Sequence, residues 1–392
     1  MTKTGGWGSL VPIYLYGVAS AASLSKAIPL QQHIAALPGA GGDSFALYMA
    51  LMAVLPAVFG AAGGGLIDRI GARPALLFAA LCGTVLNAAY ALTDSIGAFL
   101  ALRVVEGLIP LAAYAAAPAL MIATAAPERR NAAMALWSTY TPVGTSLGLL
   151  IAAGFAAGSH WQRAYVVHGA IFAGLAVLAV LLPRTAAAGS RQRASVLALL
   201  TSREGVRPLR LALAFGLLIL LGLGVSVVFP PWLSRQYGVG VSTASRILAA
   251  ANLVMILGST ASGLLLSRRT RPTLLFAVLA VCGCIAGIGI FMPQPGLAAA
   301  IAALVAWSLC TGAAMAVLAA QLPHVVEPGY RAAAAGLLSQ TGALLTFVTP
   351  SVWLSALSTG RWSALAVIVV AGWFATALLL PARGTGPAAA AH

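Results

Sequence analysis

The chain has 392 residues, 61% of them hydrophobic and 7% charged, and its 22 Lys and Arg against 7 Asp and Glu give a formal net charge of +15. Soluble domains carry ~25% charged residues, so a water-facing globular surface is excluded, and such high hydrophobicity also excludes disorder. The mean hydropathy of +0.97 places most of the chain in lipid, where a crossing helix needs ~20 apolar residues.

The N-terminus enters its first apolar run without a small-residue cleavage site, so it reads as a retained span and not as a signal peptide. Apolar runs bounded by charges, Pro and Gly predict spans at 10–31, 43–65, 74–93, 96–122, 132–157 and 164–183. A second set is predicted at 209–231, 242–266, 272–292, 296–321, 332–355 and 361–381. All should be helices, because hydrocarbon cannot satisfy an open strand edge. Runs such as 149–158 lack the alternation of a membrane barrel. The expected fold is therefore an all-α integral membrane protein with twelve transmembrane helices in two six-helix bundles, 1–183 and 209–392. Between them, 184–208 carries five arginines and one acid and reads as a basic linker against anionic lipid or as a topology anchor. Cys82, Cys282, Cys284 and Cys310 lie in apolar runs and read as small buried residues. No spacing suits a metal, and no cofactor is expected.

Basic residues fix the direction of insertion. The N-terminal tail, the even-numbered loops and the C-terminal tail hold 16 of the 22, the odd-numbered loops only Arg163, Arg235 and Arg361. By the positive-inside rule both termini face the cytoplasm of a multi-pass inner-membrane protein. The same rule accounts for the basic loops, so no nucleic-acid partner is implied.

Two stretches recur near half the chain length. Residues 65–79, GLIDRIGARPALLFA, align without gaps on 263–277, GLLLSRRTRPTLLFA; residues 130–138 align on 331–339. The halves are thus parallel repeats, an arrangement in which secondary transporters bind substrate between the halves.

The run from Gly64 to Arg73, GGLIDRIGAR, resembles the signature loop of the major facilitator superfamily, with Ala72 replacing one basic residue. Leu100, Arg103, Glu106 and Gly107 resemble that family's fourth-helix motif, with Glu106 where Gln is commoner. The fifth span, with Pro142, Gly144 and Gly148, does not keep the family's antiporter pattern. Residues 134–144 look more like the cyanate-permease-like branch, which handles small anions and polar solutes. The resemblance implies that Asp68, with Arg69, Gly71 and Arg73, latches the ends of the second and eleventh helices and holds an outward-open state.

Charges inside spans are the sharpest functional signals. Arg103 falls in the outer half of the fourth span, with Glu106 one turn deeper on the same face. Arg103 and Lys26 are candidates to attract an anionic substrate, and Glu106 is the candidate proton carrier; a structural Arg–Glu pair is the bland alternative. Asp43 reads as a helix N-cap and as the reserve proton site. By the family pattern Tyr14, Ser20, Ser23, Tyr114, Tyr140, Phe229, Trp232, Trp307, Thr311 and Gln340 lie on cavity-lining helices. Pro230–Pro231 should end or kink the seventh span, and His168 reads as packing. The expected function is a secondary transporter, working as a monomer by rocker-switch alternating access. It would move a small polar or anionic organic solute, coupled to protons, or else export an amphipathic drug or siderophore. No His-Glu-x-x-His or similar cluster supports an enzyme.

Overall fold

A computed structural model describes residues 7–183, 196–202, 205–268, 270–293, 296–327 and 330–381. The first half begins with α1, Trp7–Ser25, followed by a short turn and a helix at Gln31–Ala35. α2 comes in two pieces, Ser44–Leu51 and Val54–Ile70, and α3 is Ala72–Leu92. α4 is also in two pieces, Ile96–Glu106 and Leu108–Thr124, as is α5, Arg130–Ser138 and Tyr140–Ala153; α6 is Arg163–Leu178. The second half holds α7 (Val206–Tyr237), α8 (Val241–Ser267), α9 (Pro272–Phe291), α10 (Leu297–Val325), α11 (Arg331–Ser358) and α12 (Trp362–Leu379). Among the described residues, nine spans (all but α1, α2 and α5) are individually long and apolar enough to cross a membrane.

The helices alternate in direction. At one end Arg73 donates to the Val180 carbonyl and Arg210 to that of Leu378; we call this the basic end. At the far end the Ile96 amide donates to Pro38 and the Tyr237 hydroxyl to Pro293. In the first half α1 packs on α4 and α5, and α3 on α4 and α6. In the second half α7 packs on α10 and α11, and α9 on α10 and α12, the same pattern six helices later. The halves meet where α2 packs on α11 and α5 on α8, a pair of seams related by the same repeat.

Small residues set the close approaches, as in lipid no hydrophobic drive pulls helices together and van der Waals contact must do so. A side chain at Gly144 would strike the Val18 carbonyl, and one at Gly148 the Ala22 carbonyl, so α5 lies backbone-to-backbone on α1. Gly83 accommodates the Phe172 ring in the first half, and Gly283 the Trp373 ring at the equivalent place in the second.

The breaks in α2, α4 and α5 share one cause. Pro56, Pro110 and Pro142 lack an amide hydrogen, so the carbonyls of Met52, Glu106 and Ser138, four residues earlier, lose their helical donors. The helical pieces end at Leu51, Glu106 and Ser138. The α2 and α4 breaks touch: a side chain at Gly107 would meet the Met52 carbonyl and the Pro56 ring.

Several expectations need correction. Of the end or kink expected at Pro230 and Pro231, the end is not made: α7 continues as one helix to Tyr237 and closes at Gly238 with a left-handed cap, φ 66°. The expected N-cap at Asp43 is not made: its side chain is exposed and accepts no cap hydrogen bond, and Ser44 Oγ instead accepts from the Gly41 amide. Of the cysteines only Cys310 is buried, and Cys282 is exposed, since an apolar helix face can look at lipid as well as into a core. Most of the expected linker, 184–195 and 203–204, lies outside the described residues; within it Val196–Thr201 is a short helix.

Candidate functional site

The buried charges converge in the first half, toward its far end. Four helices each contribute polar residues three apart on one face: Ser23 and Lys26 from the end of α1, Asn87 and Tyr90 from α3, Arg103 and Glu106 from α4, Tyr165 and His168 from α6. Lys26, Arg103, Glu106 and His168 are all 0% exposed. The Lys26 ammonium uses its three hydrogens on Asn87 Oδ1 (2.6 Å), Glu106 Oε1 (3.0 Å) and His168 Nδ1 (3.1 Å). Arg103 donates to Glu106 Oε2 (2.7 Å) and to the backbone carbonyls of Ser23 (3.0 Å) and Tyr48 (3.1 Å). The Tyr90 hydroxyl gives Glu106 a third donor at 3.0 Å.

The arrangement fixes the tautomer of His168. Its Nε2 stands 3.0 Å from the Ala19 carbonyl, an acceptor only, so Nε2 carries the hydrogen and Nδ1 accepts from Lys26. Asn87 is fixed the same way: its amide nitrogen donates to the Gly83 carbonyl, leaving its oxygen for Lys26. Gly169, beside His168, lets α6 approach the Asn87 side chain. The cluster then holds two cations, one carboxylate and a neutral imidazole. Its surplus positive charge faces aromatic rings: Lys26 Nζ lies 4.8 Å from the Tyr165 ring centre and 5.5 Å from that of Tyr90, and the Arg103 guanidinium 4.5 Å from that of Tyr48. Such faces attract cations by their quadrupole. Toward the far end, Phe99 and Trp161 pack edge-on against Tyr165, and His33 stacks on Trp161 with centres 5.5 Å apart.

A second group lies deeper, where α1, α4 and α5 meet. The Tyr14 hydroxyl is 2.9 Å from Thr139 Oγ1, and because Thr139 itself donates to the Leu136 carbonyl, Tyr14 is the donor. Tyr140 stacks on Tyr114 and Trp137, with centres 4.9 and 4.4 Å apart. Across the α2–α11 seam, the Gln340 amide points at the Ala57 carbonyl at 3.5 Å.

The sequence candidates therefore divide. Lys26, Arg103 and Glu106 are joined in one network, to which Ser23 lends its carbonyl. Tyr14, Tyr114 and Tyr140 form the deeper aromatic group. Gln340 sits at the seam between the halves. Trp307 and Thr311 are buried in the second half, where Trp307 packs edge-on against Trp373; Phe229 and Trp232 are buried there too. Asp43 takes no part in the network. In the signature loop Gly71 ends α2 with φ 91°, a backbone state that favours glycine and lets α3 start at the next residue. Arg69 is exposed, Arg73 holds α6 through Val180, and the Asp68 side chain lies outside the described residues.

Sequence reasoning missed Asn87, Tyr90, Tyr48 and Tyr165, and it read His168 as packing. A signal was present: Asn87 and Tyr90, like Tyr165 and His168, repeat the three-residue spacing of Arg103 and Glu106. Among the described residues no group of three His, Cys, Asp or Glu could hold a metal ion.

Residues 13–350 match the family model described as Major Facilitator Superfamily. No curated protein matches the chain. Two solved structures of a bacterial homologue of the human lysosomal transporter Spinster are similar in fold. The inward-facing unoccupied form has a TM-score of 0.74, with 18% identity, covering 96% of this chain and 95% of that one. The inward-facing occupied form has a TM-score of 0.72 at the same identity and coverage. With a family match over most of its length and the twelve-span repeat architecture, the chain belongs to the Major Facilitator Superfamily and is a multi-span membrane transporter, not an enzyme.

Proposed function

We propose that the chain is a proton-coupled secondary transporter of a small polar or anionic organic solute, its two six-helix halves, 1–183 and 209–392, rocking about the substrate. The observation that carries this reading is the fully buried Lys26–Glu106–Arg103–His168 network. A charge at membrane depth is costly and is kept where it serves transport; this one ties α1, α3, α4 and α6 together within one half only. Its surplus positive charge favours anions in the path nearby, and the resemblance of residues 134–144 to the cyanate-permease-like branch points the same way. Because Lys26 and Arg103 give their donors to the protein, the direct substrate contacts are assigned to Tyr14, Tyr114, Tyr140 and Gln340. The basic end is the cytoplasmic one, against anionic lipid, and a monomer suffices.

The state is inward-facing in this reading. Ser242 Oγ donates to the Ala153 carbonyl, and the Ser146 hydroxyl shares its hydrogen between the Ala249 carbonyl across the seam and the Pro142 carbonyl of its own helix, both at 2.7 Å, so α5 and α8 keep one register through the far half of the seam. The Ile28–Leu30 turn packs on α7 and α8 at the same end. The Asp68 latch would hold the opposite, outward-open state.

The aromatic group at Tyr114, Tyr140 and Trp137 favours a second reading, a proton-driven exporter of an amphipathic drug or siderophore. One screen separates the two: thermal unfolding of the purified protein with organic anions, amino acids, siderophores and cationic drugs, since a ligand of the folded state raises apparent stability. Stabilisation by small organic anions is expected. Stabilisation by lipophilic cations alone would overturn the anion reading.

A further inference from the structure

The charge arithmetic of the network singles out which group can carry the proton. With Lys26 and Arg103 charged, Glu106 ionised and His168 neutral, the cluster bears one net positive charge away from water. Protonating Glu106 would raise that to two cations with no anion, in a place where unpaired buried charge is most costly. Releasing a proton from Lys26 would instead leave a neutral cluster, with the 2.7 Å Arg103–Glu106 pair intact. Arg103 cannot serve, because guanidinium does not lose its proton in proteins.

A second, independent observation agrees. The chain has only two lysines, Lys3 and Lys26; its other 20 basic residues are arginines. If the position beside Glu106 needed only a permanent cation, arginine is what this chain uses at every other basic position but Lys3. Lysine is the basic side chain that can become neutral when desolvated. The groups facing Lys26 are Asn87 and Tyr90 from α3, Arg103 and Glu106 from α4, and Tyr165 and His168 from α6, with Tyr48 of α2 behind Tyr165. Of these, His168 Nδ1 is the neutral base with a lone pair aimed at Nζ.

We propose that Lys26 is the proton-carrying group of the transport cycle, that His168 is its first acceptor, and that Glu106 stays ionised as their fixed counter-ion. This deepens the proton-coupled reading above and rests on it. In the transfer an Nζ–H bond of Lys26 breaks, its electron pair stays on Nζ, and an Nδ1–H bond forms on His168. The imidazolium keeps its Nε2–H bond to Ala19 and then yields the Nδ1 proton to water when the halves rock open.

The test needs no substrate. Spin labels are placed at exposed Ala135 on α5 and Ala319 on α10, at the basic end, in the full chain with its four native cysteines replaced. The distance distribution is measured from about pH 5 to about pH 9, where a one-proton equilibrium moves by up to about tenfold per pH unit. The expected result is a pH-driven redistribution in the parent protein that disappears in both Lys26→Arg, locked charged, and Lys26→Gln, locked neutral, with the two flat responses at opposite ends. A Lys26→Arg variant that responds like the parent overturns this proposal and returns the proton to Glu106, leaving proton coupling standing. A parent protein with no response overturns proton coupling itself. Should Lys26→Arg not fold, Lys26 is followed directly in the parent labelled with 13Cε-lysine, whose second signal is assigned by Lys3→Arg. A Lys26 signal that moves with the conformational midpoint supports the proposal; one that keeps its ammonium position through the transition overturns it.

Discussion

The two halves share one helix plan but solve their interiors in opposite ways. Counting about two hundred residues on, Glu106 becomes Trp307, Arg103 becomes Leu304, Asn87 becomes Gly287 and His168 becomes Val369. These counterparts also meet: a side chain at Gly287 would strike both Val369 and the Trp307 ring. Where the first half places a salt-bridged network, the second places one indole in a glycine notch, backed by Trp373 and Phe276. The helices differ in the same sense. The first half breaks α2, α4 and α5 at prolines, while α7 to α12 run unbroken, through Pro230, Pro231, Pro323 and Pro350. The comparison teaches that the fold needs no ions here, since its own repeat does without them. The network is then an addition confined to one half, and the breaks give that half jointed helices around it.

The comparison can be broken most sharply at Glu106. Glu106→Gln removes the one anion between two buried cations, and breaking such a pair costs about 3–5 kcal/mol. Thermal unfolding in detergent should show a large loss, whereas Trp307→Phe at the equivalent site should cost well under half as much. Equal losses would remove the asymmetry between the halves. Next in size is a pair expected to match. Gly83→Ala and Gly283→Ala each drive a methyl group into an aromatic ring, and overpacking of this kind costs about 1–3 kcal/mol. Similar drops in unfolding temperature would confirm that the repeat extends to helix packing; a drop in one half alone would restrict it to topology.

The smallest effect lies at the seam. Ser146→Ala and Ser242→Ala each delete one hydrogen bond worth about 1 kcal/mol, roughly a fivefold change in an equilibrium. Both should shift the protein toward outward-open, read as closer spin labels at Ala135 and Ala319, with little loss of thermal stability. A seam that holds both variants unchanged would show that α5–α8 packing, not these bonds, closes the far end.

How much was legible follows from what each signal depends on. The spans, the repeat and the Arg103–Glu106 pair are local, set by apolar runs or three-residue spacing, and the structure keeps them. Lys26 reaches Glu106 across 80 residues of chain, and nothing in either neighbourhood encodes the meeting. His168 illustrates the same limit: a histidine on an apolar helix is packing until its neighbours are known, and here they are an ammonium and a carbonyl. The prolines show a subtler case. Pro110 and Pro230 look alike in sequence, each removing one amide donor. α4 gives way at Glu106, where Gly107 lies against the broken stretch of α2, whereas α7 continues as one helix past Pro230, beside the buried Val227, Val228, Phe229 and Trp232.

By itself, then, the sequence determined that this protein lives in lipid, how often it crosses, and which loops gather at the basic end. Those properties are sums over residues of transfer free energy and charge, and sums need no contact map. That Lys26 and His168 join the Arg103–Glu106 pair was decided by the tertiary structure alone. A buried ion's cost or use depends on partners within a few ångströms, and helix packing chooses them.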